Sequence, residues 1–431
     1  MDCGIEEGSA LLGGDRRSYT RDVHILSVSF LLIFLAYGAS QNLQSTLNKE
    51  LGTISLGILY LSFTFFSMVA SFVVRLIGSK NSLVLGTTGY WLFVAANLKP
   101  SWLTMVPASL YLGFSASIIW VGQGTYLTSI ARSHAKDHGL LEGPVLGIFM
   151  GEFWAMFACH QLFGNLVTLA LLRDGKEGST SSTSLLMMVF LFSMTLGTIL
   201  MFFIKKCETE DGRESEGSSV GFCDSLVTLP RMIITPLLDI RMLLIIPLLA
   251  YSGLQSAFVW AEFTKDVVTP AIGVSGVGGA MAVYGAFDAA CSITVGRFTS
   301  GLSSITFVVF GGAVAQAAVF VWLLLGYRLT NGVLGTVYPL LMAAILGIGD
   351  GALKTQISAL LGLVFKHDTE GAFSQLKVWE SAAIATVFFL SPYLSLQAML
   401  IILLIMLCLS IVSFLFLTFQ VEGMYNHSES Q

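Results

Sequence analysis

The stretch "VLGTVYPLLMAAILGIGDGALKTQISALLGLVF", Val333 to Phe365, decides how the rest of the chain reads. A helix needs roughly 20 apolar residues to cross a bilayer core of about 30 Å, and this run exceeds that while holding Asp350 and Lys354 near its middle. It predicts a membrane-spanning helix that carries two charges into the apolar phase.

Comparable runs recur along nearly the whole chain. Counted with this one they make twelve predicted spans: Val23 to Leu43, Ile54 to Leu76, Ser82 to Leu98, Leu103 to Thr125, Val145 to Leu172, Leu185 to Ile204, Met242 to Glu262, Ala271 to Val295, Ile305 to Leu325, Val333 to Phe365, Phe373 to Ser391 and Leu396 to Phe416. The 431 residues are 55% hydrophobic and only 11% charged, with a mean hydropathy of +0.78, which no water-soluble chain of this length shows. In lipid only helices satisfy their own backbone one segment at a time, and these runs are too long for barrel strands. The expected fold class is therefore an all-α polytopic membrane protein. The acidic first 22 residues lack the basic start and short apolar core of a cleavable leader, so the first helix is expected to remain in the mature chain with no soluble domain before it.

Lys and Arg set the expected orientation. With the N-terminus cytosolic, most of the 22 basic residues fall on the cytosolic side, among them Arg16, Arg17, Arg21, Arg75, Lys80, Lys205, Lys206 and Arg241. Both termini are then cytosolic, and the sequon Asn426-His427-Ser428 lies on the side where it is not glycosylated. Cys3, Cys207 and Cys223 would face a reducing compartment and Cys159, Cys291 and Cys408 would lie in helices, so no lumenal disulfide is expected. The net charge of −5 resides largely in tails and loops and argues against a nucleic-acid partner.

The polar stretch from Lys205 to Arg241, with "ETEDGRESEGSSVGFCD" inside it, reads as a cytosolic linker. It divides the chain into a tail (1–22), a six-helix bundle (23–204), the linker (205–241), a second six-helix bundle (242–418) and a C-terminal tail (419–431). The halves echo each other. Leu35-Ala36-Tyr37 with Gln41 matches Leu249-Ala250-Tyr251 with Gln255, Tyr60 matches Tyr284, and Gly151-x-Phe153 matches Gly371-x-Phe373, all in consistent order. This predicts two pseudo-symmetric six-helix bundles from a duplicated unit, the parallel repeat of the major facilitator fold, with a cavity between them. "RLIGSKNS", Arg75 to Ser82, sits where that superfamily carries a basic, Gly-containing loop and is a degenerate match to it.

Four further stretches carry a more specific resemblance: "FLAYGASQNLQSTLN" (Phe34 to Asn48), "LGFSASIIWVGQGTYLT" (Leu112 to Thr128), "GIGDGALKTQ" (Gly347 to Gln356) and "AFSQLKVWES" (Ala372 to Ser381). Over essentially Phe34 to Phe416 the chain resembles the Unc-93-like proteins, classed as ion-channel regulatory proteins within the major facilitator fold. The resemblance implies a family motif Gly-x-Gly-Asp followed by Thr-Gln, met here by Gly347, Gly349, Asp350, Thr355 and Gln356. It also implies a neutral polar residue at position 354 in many members, so the Asp350 and Lys354 pair is expected to be a feature of this branch.

Asp350 and Lys354 stand one turn apart with the acid N-terminal, the favourable order for an i,i+4 pair. An unpaired charge at the bilayer centre costs roughly 2.5 to 3.5 kcal/mol on insertion scales, so the two are expected to neutralise each other. Two roles follow: a pair lining the central cavity, where a proton or cation competes with Lys354 for Asp350, or a structural pair that locks the tenth helix against a neighbour. Other embedded polar residues are Glu152, His160, Gln161 and Asn165 in the fifth helix, Asp288 in the eighth and Glu380 in the eleventh. Glu380 is expected to interact with Lys354, two acids and one base leaving a titratable group. Gln41 and Gln255, related by the repeat, are cavity candidates; Asp288 and Glu152 have cavity and interhelical hydrogen-bonding readings, the second favoured. Gly347, Gly349 and Gly351 predict close helix packing or, as the alternative, a local break.

Enzyme readings fare worse. Gly347-x-Gly349-Asp350 spells the intramembrane aspartyl protease signature, but that chemistry needs a second carboxylate, and the ninth helix has no acid. His134 and His138 have helical metal-ligand spacing without a third ligand nearby, so no metal is expected, and no cofactor or nucleotide motif is present. Glu7 with Leu11 and Leu12 fits an acidic dileucine sorting signal, which would direct the protein to a vacuolar or lysosomal membrane, with the plasma membrane as the alternative. The expectation is a non-enzymatic, transporter-shaped protein in the lipid bilayer. The resemblance implies that it regulates potassium homeostasis through an ion channel or other membrane protein; the alternative is an autonomous proton- or cation-coupled transporter of a small solute.

Overall fold

Every predicted apolar run becomes a helical rod, because a chain in lipid has no other local way to pair its N–H and C=O groups. The computed structural model describes residues 19–47, 49–172, 180–206, 234–327 and 332–429. Its rods are α1 (Tyr19–Leu47), α2 (Lys49–Ile77), α3 (Ser79–Ala96), α4 (Trp102–His138), α5 (Glu142–Leu172), α6 (Thr180–Phe202), α7 (Ile240–Phe258), α8 (Val274–Phe298), α9 (Leu302–Leu325), α10 (Val333–Val364), α11 (Thr369–Leu390) and α12 (Leu396–Glu429). Among the described residues ten rods are long and apolar enough to cross a membrane. The other two, α3 and α11, carry more polar side chains; α11 spends them on the interior, with Ser374, Gln375, Lys377 and Ser381 all buried.

The ends obey local chemistry. Ser101 and Thr104 form a reciprocal capping box at the start of α4, and Gly139, in the left-handed conformation with φ 63°, ends it. The Asp368 carboxylate accepts from the Gly371 N–H at 2.8 Å and opens α11. Asp239 caps α7 by accepting from the Arg241 N–H at 2.9 Å. Partial burial pushes the Asp239 carboxyl up, but the hydrogen bonds and charge of Arg241 outweigh it and hold the carboxyl below its ordinary value. Gly78, φ 81°, turns α2 into α3 with no intervening loop, a conformation that favours glycine.

Several boundaries differ from the sequence reading; α4, for one, runs past the expected Thr125 to His138, so His134 and His138 lie in the helix. The α7 rod does not stop at Glu262: it continues as a π-helix, Val259–Val268, and a final turn, Thr269–Ile272. The polar letters of "EFTKDVV" suggest a loop, yet Glu262 is 2% exposed and accepts from the Ser391 hydroxyl, which removes the reason for the chain to leave the helix. The expected tail from 419 begins inside α12, whose backbone stays helical to Glu429. In the 205–241 linker, residues 234–238 are helical and α7 already begins at Ile240, while the charged centre lies outside the described residues. The Glu7, Leu11 and Leu12 signal also lies outside them.

Packing reveals the repeat. α1 lies on α5 and α6 as α7 lies on α11 and α12; α2 lies on α4 as α8 lies on α10; α3 contacts α4 and α6 as α9 contacts α10 and α12. The two bundles meet along α5 with α8 and α2 with α11, two seams that the same symmetry exchanges. On the first seam the backbones touch: a Cβ on Gly151 would stand 2.7 Å from the Ser292 carbonyl oxygen, and one on Gly296 would stand 2.6 Å from that of Gly147.

An even number of rods puts the start of α1 and the end of α12 on one face, and there the two halves are tied together. Arg75 at the end of α2 reaches Asp368 at 2.5 Å and Glu370 at 3.7 Å. Glu142 at the start of α5 receives Arg132 at 2.7 Å and Lys366 at 2.5 Å. Arg132 also donates to the carbonyls of Gly362 at 2.6 Å and Lys366 at 3.1 Å. Single exposed pairs contribute only about 0 to 1 kcal/mol, but a shared network that satisfies helix-end carbonyls does more.

Candidate central cavity

Between the halves lies a cavity of about 940 Å³. Its wall comes from the later parts of α1, α5 and α7 and the earlier parts of α2 and α8, so it opens on the face opposite the chain ends. Ten aromatic side chains line it, among them Tyr37, Tyr60, Trp120, Trp154, Trp260 and Tyr284. Gln41, His160, Gln161, Asn165, Thr264 and Lys265 supply most of the polar upper wall.

The floor is ionic. The Lys354 ammonium donates to Asp350 Oδ2 at 2.6 Å, and the Tyr284 hydroxyl donates to the same oxygen. Asp350 is 1% exposed and Lys354 12% at its side chain, so water screens this pair little. The ammonium also stands 5.9 Å from the Trp154 ring centre and 6.0 Å from that of Trp260. On α11, Lys377 donates to Glu380 at 2.5 Å and lies 4.5 Å over the Trp120 ring, a distance at which a partly desolvated cation–π contact contributes about 1 to 2 kcal/mol. Asp288 borders the same floor and accepts from the Ser292 hydroxyl at 3.1 Å. Below this layer the Trp154 indole donates to Ser358 at 2.9 Å, joining α5 to α10 and closing the cavity toward the end that carries the termini. At the level of the floor Thr64 of α2 donates to Ser381 of α11 at 3.0 Å, a second bond between the halves.

Residues 44–321 and 333–415 match the model of a single protein family, described as ion channel regulatory protein UNC-93. The chain belongs to the Unc-93 family. An Arabidopsis thaliana relative named UNC93-like protein 3 is 83% identical over 90% of this chain and 84% of its own. A Caenorhabditis elegans relative named "Putative potassium channel regulatory protein unc-93" is 28% identical over 93% of this chain and 61% of its own. Among solved structures, the major facilitator superfamily proton:xylose symporter XylE superposes with a TM-score of 0.67 at 10% identity, covering 92% of this chain and 94% of that one. The Unc-93 chain therefore has the major facilitator fold, twelve helices in two six-helix halves.

Within this Unc-93 chain the sequence candidates separate. Asp350, Lys354, Glu380, Asp288 and Gln41 all line the cavity. Gln255 does not: its residue is fully buried behind the wall, so the repeat that relates it to Gln41 does not give both halves the same surface. Glu152 is also away from the cavity, 3.4 Å from His24 of α1. Glu380 bonds to Lys377 while lying within electrostatic reach of Lys354, so the floor has three acids and two bases instead of two and one. In the family motif, Gly347 and Gly351 let α10 press on α8: a Cβ on Gly351 would come 2.6 Å from the Asp288 carbonyl oxygen. α10 is continuous through them, with no local break. Gln356 donates to Thr299 at 2.9 Å and pins the end of α8, while Thr355 is buried.

Lys377 and the three indoles escaped the sequence reading. The signal for Lys377 was present in the quoted "AFSQLKVWES", where Lys377 and Glu380 have i,i+3 spacing. The tryptophans carried none, since an apolar helix uses indoles equally well against lipid.

Proposed function

We propose that this Unc-93 chain regulates ion conduction, potassium in the first place, by associating with a channel in the same bilayer, and that it has no catalytic activity of its own. The family match along 44–321 and 333–415 carries the reading, and the name of the Caenorhabditis elegans relative points to potassium. The cavity supports a regulator over a conductor: conduction needs a hydrated passage between both faces, whereas this cavity ends on paired charges above an interhalf bond. The channel would bind along lipid-facing helix surfaces. Both termini are cytosolic in this reading, supported by the Lys and Arg distribution, and Glu7, Leu11 and Leu12 route the protein to a vacuolar or lysosomal membrane.

Gentle solubilisation from native membranes, affinity purification and mass spectrometry test the reading. A channel retained near one-to-one is the expected outcome, and a clean monomer or homo-oligomer sinks it. Alanine at Leu11 and Leu12 should shift the protein to the plasma membrane by fluorescence microscopy.

One observation favours a second reading, coupled transport: a wide cavity whose floor holds Asp350 against Lys354, where a proton or cation can compete. In that reading Asp350→Asn abolishes flux in proteoliposomes while folding and localisation persist. Unchanged flux removes it.

A further inference from the structure

The cavity floor brings three acids to two lysines. Lys354 is committed to Asp350 and Lys377 to Glu380. Asp288, 7% exposed, has only the Ser292 hydroxyl donating to it, and among the described residues no Lys, Arg or His stands within 4.0 Å of its carboxylate. One acid of the floor is therefore without a lysine partner, and an unpaired buried carboxyl stays charged only where a cation comes to it. The remaining ionisable groups of the wall do not supply that cation. Lys265 is 62% exposed and reaches toward Glu262 and Asp266, and His160 Nδ1 is bonded to the Phe157 carbonyl.

A second observation points the same way. Among the described residues nothing donates to the buried Asp350 Oδ1, so even the paired acid keeps an unused acceptor beside the cavity. A third defines the ligand: ammonium groups already sit against the indoles, Lys377 4.5 Å over Trp120 and Lys354 about 6 Å from Trp154 and Trp260. Ten aromatic rings in the wall suit a cation with an apolar body, which can lie against their faces. An anion would meet two lysines whose charge is already spent. The cavity volume of about 940 Å³ is that of a site for a drug-sized molecule.

We infer that the cavity is a binding site for one monovalent organic cation, an amine or quaternary ammonium with an apolar body, its charge held at Asp288 and its body against the aromatic wall. The site stands whether or not the chain regulates a channel; in the transport reading it names the substrate class.

The test compares phenyltrimethylammonium with its neutral isostere tert-butylbenzene on the full chain in lipid nanodiscs, read by tryptophan fluorescence quenching and by thermal shift. The cation should quench saturably and bind about tenfold or more tightly than the isostere, and Asp288→Asn should erase that preference. Trp120→Leu, which leaves every charge in place, should weaken the cation by about threefold to tenfold. Equal binding of the isostere to the unmodified protein, which needs no variant to fold, overturns the inference by showing that Asp288 carries a proton instead. So does undiminished binding to a folded Asp288→Asn protein, or competition by potassium chloride as strong, mole for mole, as by the organic cation. Binding without flux removes the transport reading and leaves the site; Asp350-dependent flux without a cation preference does the reverse.

Discussion

Replacing Lys354 by methionine isolates the energetics of the cavity floor. The side chains are similar in length, so the change removes the charge and little volume. It leaves Asp350, 1% exposed, with the Tyr284 hydroxyl as its remaining donor. A buried charge stripped of its partner costs about 3 to 5 kcal/mol. Reversible unfolding in detergent or nanodiscs measures the loss. The double variant Lys354→Met with Asp350→Leu should recover most of the loss, since apolar replacement of a complete buried pair is close to neutral. A single variant as stable as the parent, or a double variant as unstable as the single one, would refute the view that this pair is a mutually neutralising unit.

Gly351→Ala should lower the thermal midpoint, at a cost of about 1 to 3 kcal/mol, even though alanine is the better helix former, because the added carbon meets the α8 backbone at 2.6 Å from the Asp288 carbonyl oxygen. Arg132→Ala removes bonds to Gly362 and Lys366 that join the halves and one to Glu142 within the first half, so stability should fall by about 1 to 3 kcal/mol, and an unchanged thermal midpoint would deny Arg132 a role in tying the halves. Asp239→Asn keeps an N-cap acceptor but should destabilise the protein at neutral pH by losing the charged pairing with Arg241. Because the folded carboxyl titrates below its ordinary value, that contribution is present above the unfolded pKa and lost as pH falls through the folded one, so parent and variant should converge in stability at low pH.

What was legible in the sequence is what lipid makes local. Apolar length, the polar gaps between runs and the echo of Leu35-Ala36-Tyr37 in Leu249-Ala250-Tyr251 specify helices and a duplicated unit, since each span satisfies its own backbone and hides no information in a partner. The Asp350 and Lys354 pair is equally local, its i,i+4 spacing fixing the contact before any packing. Misread elements depend on neighbours. Glu262 looks like the end of a span until Ser391, more than a hundred residues away, supplies its donor and the helix continues in π form. Gln255 looks like the twin of Gln41 until tertiary packing turns one toward the cavity and the other behind its wall. Glu380 looks like a partner for Lys354 because both lie in apolar runs, and it stays within electrostatic reach, but the nearer Lys377, one turn away on α11, takes the hydrogen bond. The sequence by itself determined the class of the molecule, its twofold design and its most buried pair. Only the tertiary structure decided which acids face the cavity, that three meet two bases there, and that indoles rather than lipid surround the lysines, because those facts depend on the rotation of each helix about its own axis, which periodicity in an all-apolar run does not encode.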